Sequence, residues 1–305
     1  MPQIVNQTEL FNRIVETTAN YLIKNEIKAT VLGISGGIDS TVCAAICYEI
    51  KQRYGIKFIG ISLPCSTNKD DENASAMYCM SAFCSKFWTE NLESCYQFVK
   101  NTCAEKNNSN ATTRGNIKAR LRMIYLYHVA AMNKGIVIDT DNLTEKLLGF
   151  FTVHGDQGDY KPIGFLWKHQ VYDLAQGLLE VYKDDEQKKK ALECAIKITP
   201  TDGNGVKEGG DLAQIAPGST YNEVDDILQK YTSRHAYRPY DMFPQLPINE
   251  EDKVITELYE KYPKKIVDGV ITRHEKSRFK RKKGLPYLGV RWEDIIRGII
   301  NKTTT

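Results

Sequence analysis

Six residues at positions 35–40, Ser35-Gly36-Gly37-Ile38-Asp39-Ser40, stand between an apolar run and a segment with helical spacing. Glycines at such a junction let a ligand approach the backbone closely. The first amides of the following helix point outward, and the helix dipole favours a bound anion. The stretch therefore reads as a phosphate cradle. The chain carries neither GxxxxGK[ST] nor GxGxxG, so a Walker-type ATPase and a dinucleotide-binding Rossmann enzyme are not indicated. The five histidines, His128, His154, His169, His235 and His274, lack the spacing of a metal site such as HExxH. Eight cysteines (Cys43, Cys47, Cys65, Cys79, Cys84, Cys95, Cys103 and Cys194) form no CxxC pair and read as small buried apolar residues of a reducing compartment. Nothing resembles a nucleophile elbow.

The elements that must position the cradle follow from periodicity. Leu10, Phe11, Ile14, Val15, Leu22 and Ile23 define a packing helix behind Thr8 as N-cap. An apolar run at 28–34, a helix at 39–53 and a second apolar run at 57–63 then make a βαβ unit, whose strands run parallel and are covered on both faces. A helix at 71–86, a weak strand at 96–100, a long helix at 115–132 and a buried strand at 136–138 continue the pattern. The expected fold is α/β, a doubly wound, Rossmann-like parallel sheet. Beyond Pro162 only helices are expected, at 168–182, 186–197, 221–231 and 250–259, forming a helical annex to a single domain spanning 1–305, with its core at about 22–226 and the annex and a basic lid segment at about 227–305. The polar, Gly-bearing stretches 199–220 and 273–284 read as mobile.

Composition agrees with a globular enzyme more than with a nucleic-acid or membrane protein. Of 305 residues 42% are apolar and 26% charged, and 41 basic against 38 acidic residues leave a net charge of +3, too small to argue for a nucleic-acid surface. No apolar stretch approaches the about 20 residues a membrane-spanning helix needs, and the N-terminus lacks the pattern of a secretory signal, so a cytoplasmic location is expected.

The loop at 35–40 resembles the pyrophosphate loop of enzymes that adenylate a substrate with ATP, a superfamily with an adenine nucleotide alpha hydrolase-like fold. Further motifs follow in order: GNIKARLRM at 115–123, Thr140-Asp141-Asn142 through Glu145, Gly149-Phe150-Phe151-Thr152, and Gly155-Asp156. In this order and spacing the chain resembles the NAD synthetases over roughly 22–226. The resemblance implies amidation of deamido-NAD to NAD through an acyl-adenylate, with release of AMP and pyrophosphate. It implies that Gly33, Ile34, Ser35, Gly36, Gly37, Ile38, Asp39 and Ser40 hold the ATP phosphates, joined by Thr140, Lys168 and Thr201. Asp39 and Glu145 would bind Mg2+, a cation that ordinarily takes one or two protein carboxylates beside phosphates and water. Arg120, Asp156, Asp159, Phe279 and Lys280 would contact deamido-NAD, Asp156 also taking the proton of the incoming ammonium and Lys168 serving the adenylation. The start of the chain leaves no room for a glutaminase domain, so ammonia is the expected nitrogen donor, and family likeness implies a homodimer.

The chain departs from the family's usual pattern at several positions. Val153 stands where a substrate-binding Lys is usual, Asp139 where Gly is usual, and Ser62 where an Arg contacts adenine. Asp159 aligns only with a gap of one residue. The family's His-Lys-Arg element near the C-terminus corresponds best to Phe279-Lys280-Arg281, with His274 as a substitute. Two rival readings use the same loop: a tRNA-modifying adenylating ligase, and a nucleotide-binding protein that has lost catalysis.

Overall fold

The computed structural model describes residues 6–65, 70–102, 110–199, 210–233 and 253–281. Helix α1 (Gln7–Lys24) packs its apolar stripe inward and is capped by Asn6, whose side chain accepts the amides of Thr8 and Glu9. Asn6 thus takes the capping role expected of Thr8, which falls inside the helix. Strand β1 (Ala29–Gly33), helix α2 (Ile38–Tyr54) and strand β2 (Lys57–Ser62) form the expected βαβ unit. Helix α3 (Asp70–Phe83) follows, then strand β3 (Lys86–Thr89), helix α4 (Glu93–Thr102), helix α5 (Ala111–Met132) and strand β4 (Gly135–Ile138). The third strand is therefore at Lys86–Thr89, and the segment 96–100, expected as a strand, belongs to α4. Asn91 explains the difference: its side chain accepts the Glu93 amide and starts a helix that the β-prone Tyr96, Phe98 and Val99 do not prevent.

Among the described residues the sheet has four parallel strands in the order β3-β2-β1-β4. β1 lies in the middle, with Val31 opposite Ile59 on one side and Val137 on the other. Its side chains alternate between two apolar layers, as a buried strand requires. Leu32 and Phe58 face Phe11, Leu22, Ile46 and Leu174, while Val31, Ile59 and Val137 face Met123, Leu126 and Val129 of α5. The chain first builds the sheet outward from β1 to β3 and then returns to place β4 on the opposite side of β1. The carboxyl ends of β1 and β4 thus flank a topological switch point, where open α/β sheets leave a crevice for ligands.

Helices α6 (Leu143–Leu148), α7 (Lys168–Val181) and α8 (Glu186–Lys197) return over the sheet, and α9 (Gly210–Ile215), α10 (Tyr221–Ser233), α11 (Lys253–Lys261), α12 (Lys264–Lys276) and α13 (Arg278–Arg281) complete the described chain. The annex has its own apolar cluster, in which Val224, Ile227 and Leu228 of α10 meet Ile255 and Leu258 of α11, Val267 and Val270 of α12, and Leu148 of α6. Two stretches expected to be mobile are partly helical: 210–215 forms α9, and 273–281 ends α12 and forms α13. In the second, Arg273, Lys280 and Arg281 donate to the carbonyls of Leu148, Gly149, Phe151 and Leu147, so the basic run closes the open C-terminal end of α6. Cys43, Cys47, Cys65, Cys79 and Cys84 are buried as expected, whereas Cys95 is exposed, Cys194 is half-buried and Cys103 lies outside the described residues. Among the described residues no helix is long and apolar enough to cross a membrane.

Candidate active site

A cleft of about 280 Å3 opens at the switch point, lined by Gly33, Ile34, Ser35, Gly37, Ile38, Asp39 and Ser40 from the end of β1 and the start of α2, and by Thr140, Asp141 and Glu145 beyond β4. The loop is held by its own polar groups. Ser35 Oγ accepts the Gly37 amide at 3.2 Å and lies 3.1 Å from Ser40 Oγ, while the Ser40 and Thr41 hydroxyls both donate to the Gly37 carbonyl. Gly36 has φ +86°, the left-handed region, and a Cβ there would lie 2.4 Å from the Glu72 carbonyl oxygen of α3. No side chain caps α2, so its N-terminal dipole faces the cleft with its amides.

Opposite the loop, three charged side chains from three helices converge. Lys168, the first residue of α7 and only 1% exposed, places Nζ 2.5 Å from Asp39 Oδ2 and 2.9 Å from Glu145 Oε1. Asn142 caps α6 by accepting the Glu145 amide and donates its own side-chain amide to Asp39 Oδ1 at 2.8 Å. Burial, and then the negative charge of Asp39, push Glu145 up to about 8. Burial opposes the charge on Lys168, yet the carboxylates of Asp39 and Glu145 outweigh it and hold the ammonium well above its ordinary range. Two half-buried carboxylates with hard oxygen donors, crowded by mutual repulsion and facing a phosphate loop, fit a magnesium ion.

A second acidic pair, Asp141 and Asp156, lines the same cleft. Asp156 accepts the Thr152 amide with both oxygens, at 2.8 and 2.9 Å, and burial followed by the charge of Asp141 pushes it up to about 7. Asp141, raised to about 7 by burial and by Asp139, is bridged by Lys161, whose Nζ is 2.6 Å from Asp141 and 3.0 Å from Asp139. Asp139 also accepts the amides of Asp141 and Gly158, so the residue that replaces Gly organises the turn after β4 and draws Lys161 in as its counterion.

The remaining expected residues are placed as follows. Thr140, Asp156 and Lys168 line the cleft with the loop. Arg120 is exposed on α5 and donates to the Val153 carbonyl at 3.1 Å. Asp159 is not a lining residue; it accepts the Val137 amide with its side chain and extends the edge of β4. Lys280 donates to the Gly149 and Phe151 carbonyls, near enough to Asp156 for its charge to be felt there, whereas Phe279 is 68% exposed. His274 is buried, with Nδ1 2.9 Å from the Leu147 carbonyl, and, like Arg120, Phe279 and Lys280, does not line the cleft. Thr201 lies outside the described residues.

Sequence reasoning missed Arg122, Asn142 and Asp211 as lining or bracing residues. Arg122 lines the cleft beside Ser62 and donates to the Leu63 carbonyl at 3.0 Å. Its signal was its place in the 115–123 motif, two residues beyond Arg120. Asn142 was visible as part of the Thr140-Asp141-Asn142 motif, and Asp211, also in the lining, had no signal in its polar surroundings.

A phosphate loop at the switch point of a parallel sheet, faced by a carboxylate pair and a buried lysine, defines a nucleotide-binding α/β protein. The chain belongs to the NAD synthase family, whose model matches residues 10–284. It is 34% identical to an NH3-dependent NAD+ synthetase of Thermoplasma volcanium over 202 residues, 66% of this chain and 76% of the relative. Among solved structures it is similar to an NMN synthetase from Francisella tularensis, at 25% identity and TM-score 0.69, covering 92% of this chain and 98% of the other. An NH3-dependent NAD synthetase from Campylobacter jejuni, at 20% identity and TM-score 0.67 over 93% of this chain and 100% of the other, shares the fold.

Proposed function

We propose that this chain is an ammonia-dependent NAD synthetase, a C–N ligase that amidates the nicotinate carboxylate of deamido-NAD at the expense of ATP. The observation that carries the reading is the convergence of Asp39, Glu145 and Lys168 on the loop at 35–40. A carboxylate resists attack because its charge and resonance must be lost, so amide formation needs a better leaving group. The nicotinate oxygen attacks the α-phosphorus of ATP, the bond to pyrophosphate breaks, and the resulting acyl-adenylate is attacked by ammonia with departure of AMP. The loop amides and Lys168 offset the charge that develops on pyrophosphate. Asp39 and Glu145 would hold Mg2+, which when bound adds further positive charge at the phosphates.

Asp156 suits the second half of the reaction. A carboxylate raised to about 7 exchanges its proton near neutrality, so its anion can bind ammonium and accept the proton that releases ammonia. Arg120 and Lys280 would supply positive charge toward the dinucleotide, and the same reading assigns Asp159 and Phe279 to it by family likeness alone, since neither lines the cleft. The same reading assigns Thr140 and Thr201 to ATP and makes the enzyme a cytoplasmic homodimer without a nucleic-acid or membrane partner. Likeness to an NMN synthetase and the aliphatic Val153 favour one competing acceptor, the nicotinate mononucleotide, which lacks the adenylate half.

The test is turnover by the purified chain with ATP, Mg2+ and ammonium, offered deamido-NAD or nicotinate mononucleotide in separate reactions. Pyrophosphate and AMP released in step with NAD support the proposal. A kcat/KM higher for the mononucleotide moves the acceptor assignment, and no pyrophosphate with either rejects the ligase reading.

A further inference from the structure

Helix α7 has no side chain at its N-cap position to accept its first amides, and Gln170 within it accepts only the Trp167 amide, at 3.0 Å. Trp167 stands at the position where Ser, Thr, Asp or Asn ordinarily accepts the first amide protons, and an indole has no oxygen with which to do so. The acceptor comes from α10. Asp225, buried at 1% exposure, accepts the His169 amide with Oδ2 at 2.9 Å and has His169 Nδ1 2.8 Å from the same oxygen. Its Oδ1 accepts the Thr144 hydroxyl proton at 2.5 Å, and Thr144 Oγ1 in turn accepts the Lys168 amide at 2.9 Å. One carboxylate therefore serves two amides at the start of α7, directly and through a hydroxyl, and fastens α7 to α6. A negative charge at this end of α7 is also favoured by its dipole. His169 answers it: the hydrogen bond to Asp225 holds the imidazole above its usual range.

The residues so fastened are the immediate chain neighbours of the charged site. Thr144 precedes Glu145, and His169 follows Lys168. Lys168 Nζ can lie 2.9 Å from Glu145 and 2.5 Å from Asp39 only if the first turns of α6 and α7 keep a fixed separation. An error of about 1 Å in such a charged constellation is enough to cost much of its effect. We propose that Asp225 is a positioning residue for the ATP site, acting through Thr144 and His169 to set the spacing between Glu145 and Lys168 without touching substrate. The proposal rests on reading Asp39, Glu145 and Lys168 as the phosphate and magnesium end of the site.

The experiment compares Asp225→Asn, Thr144→Val and Thr144→Ser with the wild type. Two readouts are taken: the Kd of the Mg2+ complex of α,β-methylene ATP by calorimetry, and KM for ATP and for deamido-NAD with kcat. Asp225→Asn and Thr144→Val should weaken binding of the analogue and raise KM for ATP by about tenfold or more. KM for deamido-NAD should stay within about threefold, and Thr144→Ser, which keeps the hydroxyl, should recover most of the affinity. A purely structural role would lower the folded fraction and leave the Kd of the folded protein where it was. If Asp225→Asn does not fold, Thr144→Val decides, since it keeps the side-chain shape and removes the hydroxyl that links Asp225 to the Lys168 amide. Analogue affinity and KM for ATP within twofold of wild type in the folded variants overturn the proposal. A wild type that binds no Mg2+-nucleotide overturns the site reading on which it rests.

Discussion

Asp39 carries two contacts, Asn142 on one oxygen and Lys168 on the other, so an amide in its place keeps the shape and removes the charge. Asp39→Asn should leave the fold intact, because Lys168 retains Glu145, and should lower turnover by more than ~100-fold, since charge stabilisation of this kind carries several kcal/mol. Steady-state turnover within a few-fold of wild type would remove Asp39 from the mechanism. Asp156 gives a second prediction, with a sign. Its folded pKa, about 7, lies above that of an unfolded aspartate, so between about pH 4 and 7 the native state binds more protons than the unfolded one. Stability contributed by its protonation is present at low pH and lost as pH rises through 7. Asp156→Asn should therefore melt higher than wild type at pH 8, by on the order of 1 kcal/mol or more, with the gap closing below pH 4. In activity the dependence is reversed: after correction for the neutral ammonia fraction, kcat should rise through about pH 7 in the wild type and lose that step in Asp156→Asn. Melting curves and pH profiles of the two proteins check both halves.

At the level of elements, the loop at 35–40 is as much a docking surface for α3 as a ligand cradle. Ser75 donates to the Gly36 carbonyl at 2.8 Å, and the backbone of α3 passes so near that a Cβ on residue 36 would meet the Glu72 oxygen at 2.4 Å and the Ala76 nitrogen at 2.7 Å. Gly36→Ala should cost ~1–2 kcal/mol for the left-handed backbone alone, and more for the displacement of α3. Nucleotide binding should fall with it, and denaturant unfolding with nucleotide titration measures both. The elements flanking this loop were legible because their signals are strong: two near-continuous apolar strands and a helix between them leave one arrangement. The four residues of β3 were not, since Lys86-Phe87-Trp88-Thr89 follow α3 with no Gly or Pro between, and a helix pattern runs through them. Helix α6 was missed for a related reason, as six residues are too few to show a period, although the cap Asn142 and the αL Gly149 bound it on both sides. The convergence of Asp39 and Glu145 on Lys168 was legible where a motif fixed the element of each residue. Asp225 was not, because its partners lie 56 and 81 residues away along the chain and no local pattern records such a contact.

For the whole molecule, the apolar surface that α5 exposes among the described residues bears on the proposed dimer. Met123, Leu126 and Val129 turn inward to the sheet, whereas Ile124 and Met132 are 67% and 64% exposed and Tyr127 lies between them, exposed as well. A helix that is apolar on more than one face tends to be buried on more than one face, and a second copy of the chain is the partner the family likeness implies. Arg120 stands on the same helix, exposed beside this surface, and reaches the loop at Val153, so a partner seated on α5 would also bear on the deamido-NAD contact proposed for Arg120. ATP, by contrast, would lie inside each subunit between β1 and β4. Sedimentation at micromolar protein should report about twice the 34.7 kDa chain mass. Ile124→Glu, which places a charge on the most exposed apolar residue of the stripe, should shift the protein to monomer, weaken deamido-NAD binding by about tenfold or more, and leave nucleotide binding within a few-fold. The separation of the two affinities is the informative part, because a general loss of structure would lower both. A monomeric wild type with full activity would reject the dimer and the shared substrate side together, and a monomeric Ile124→Glu that binds deamido-NAD as the wild type does would keep the dimer and reject only its share in the site.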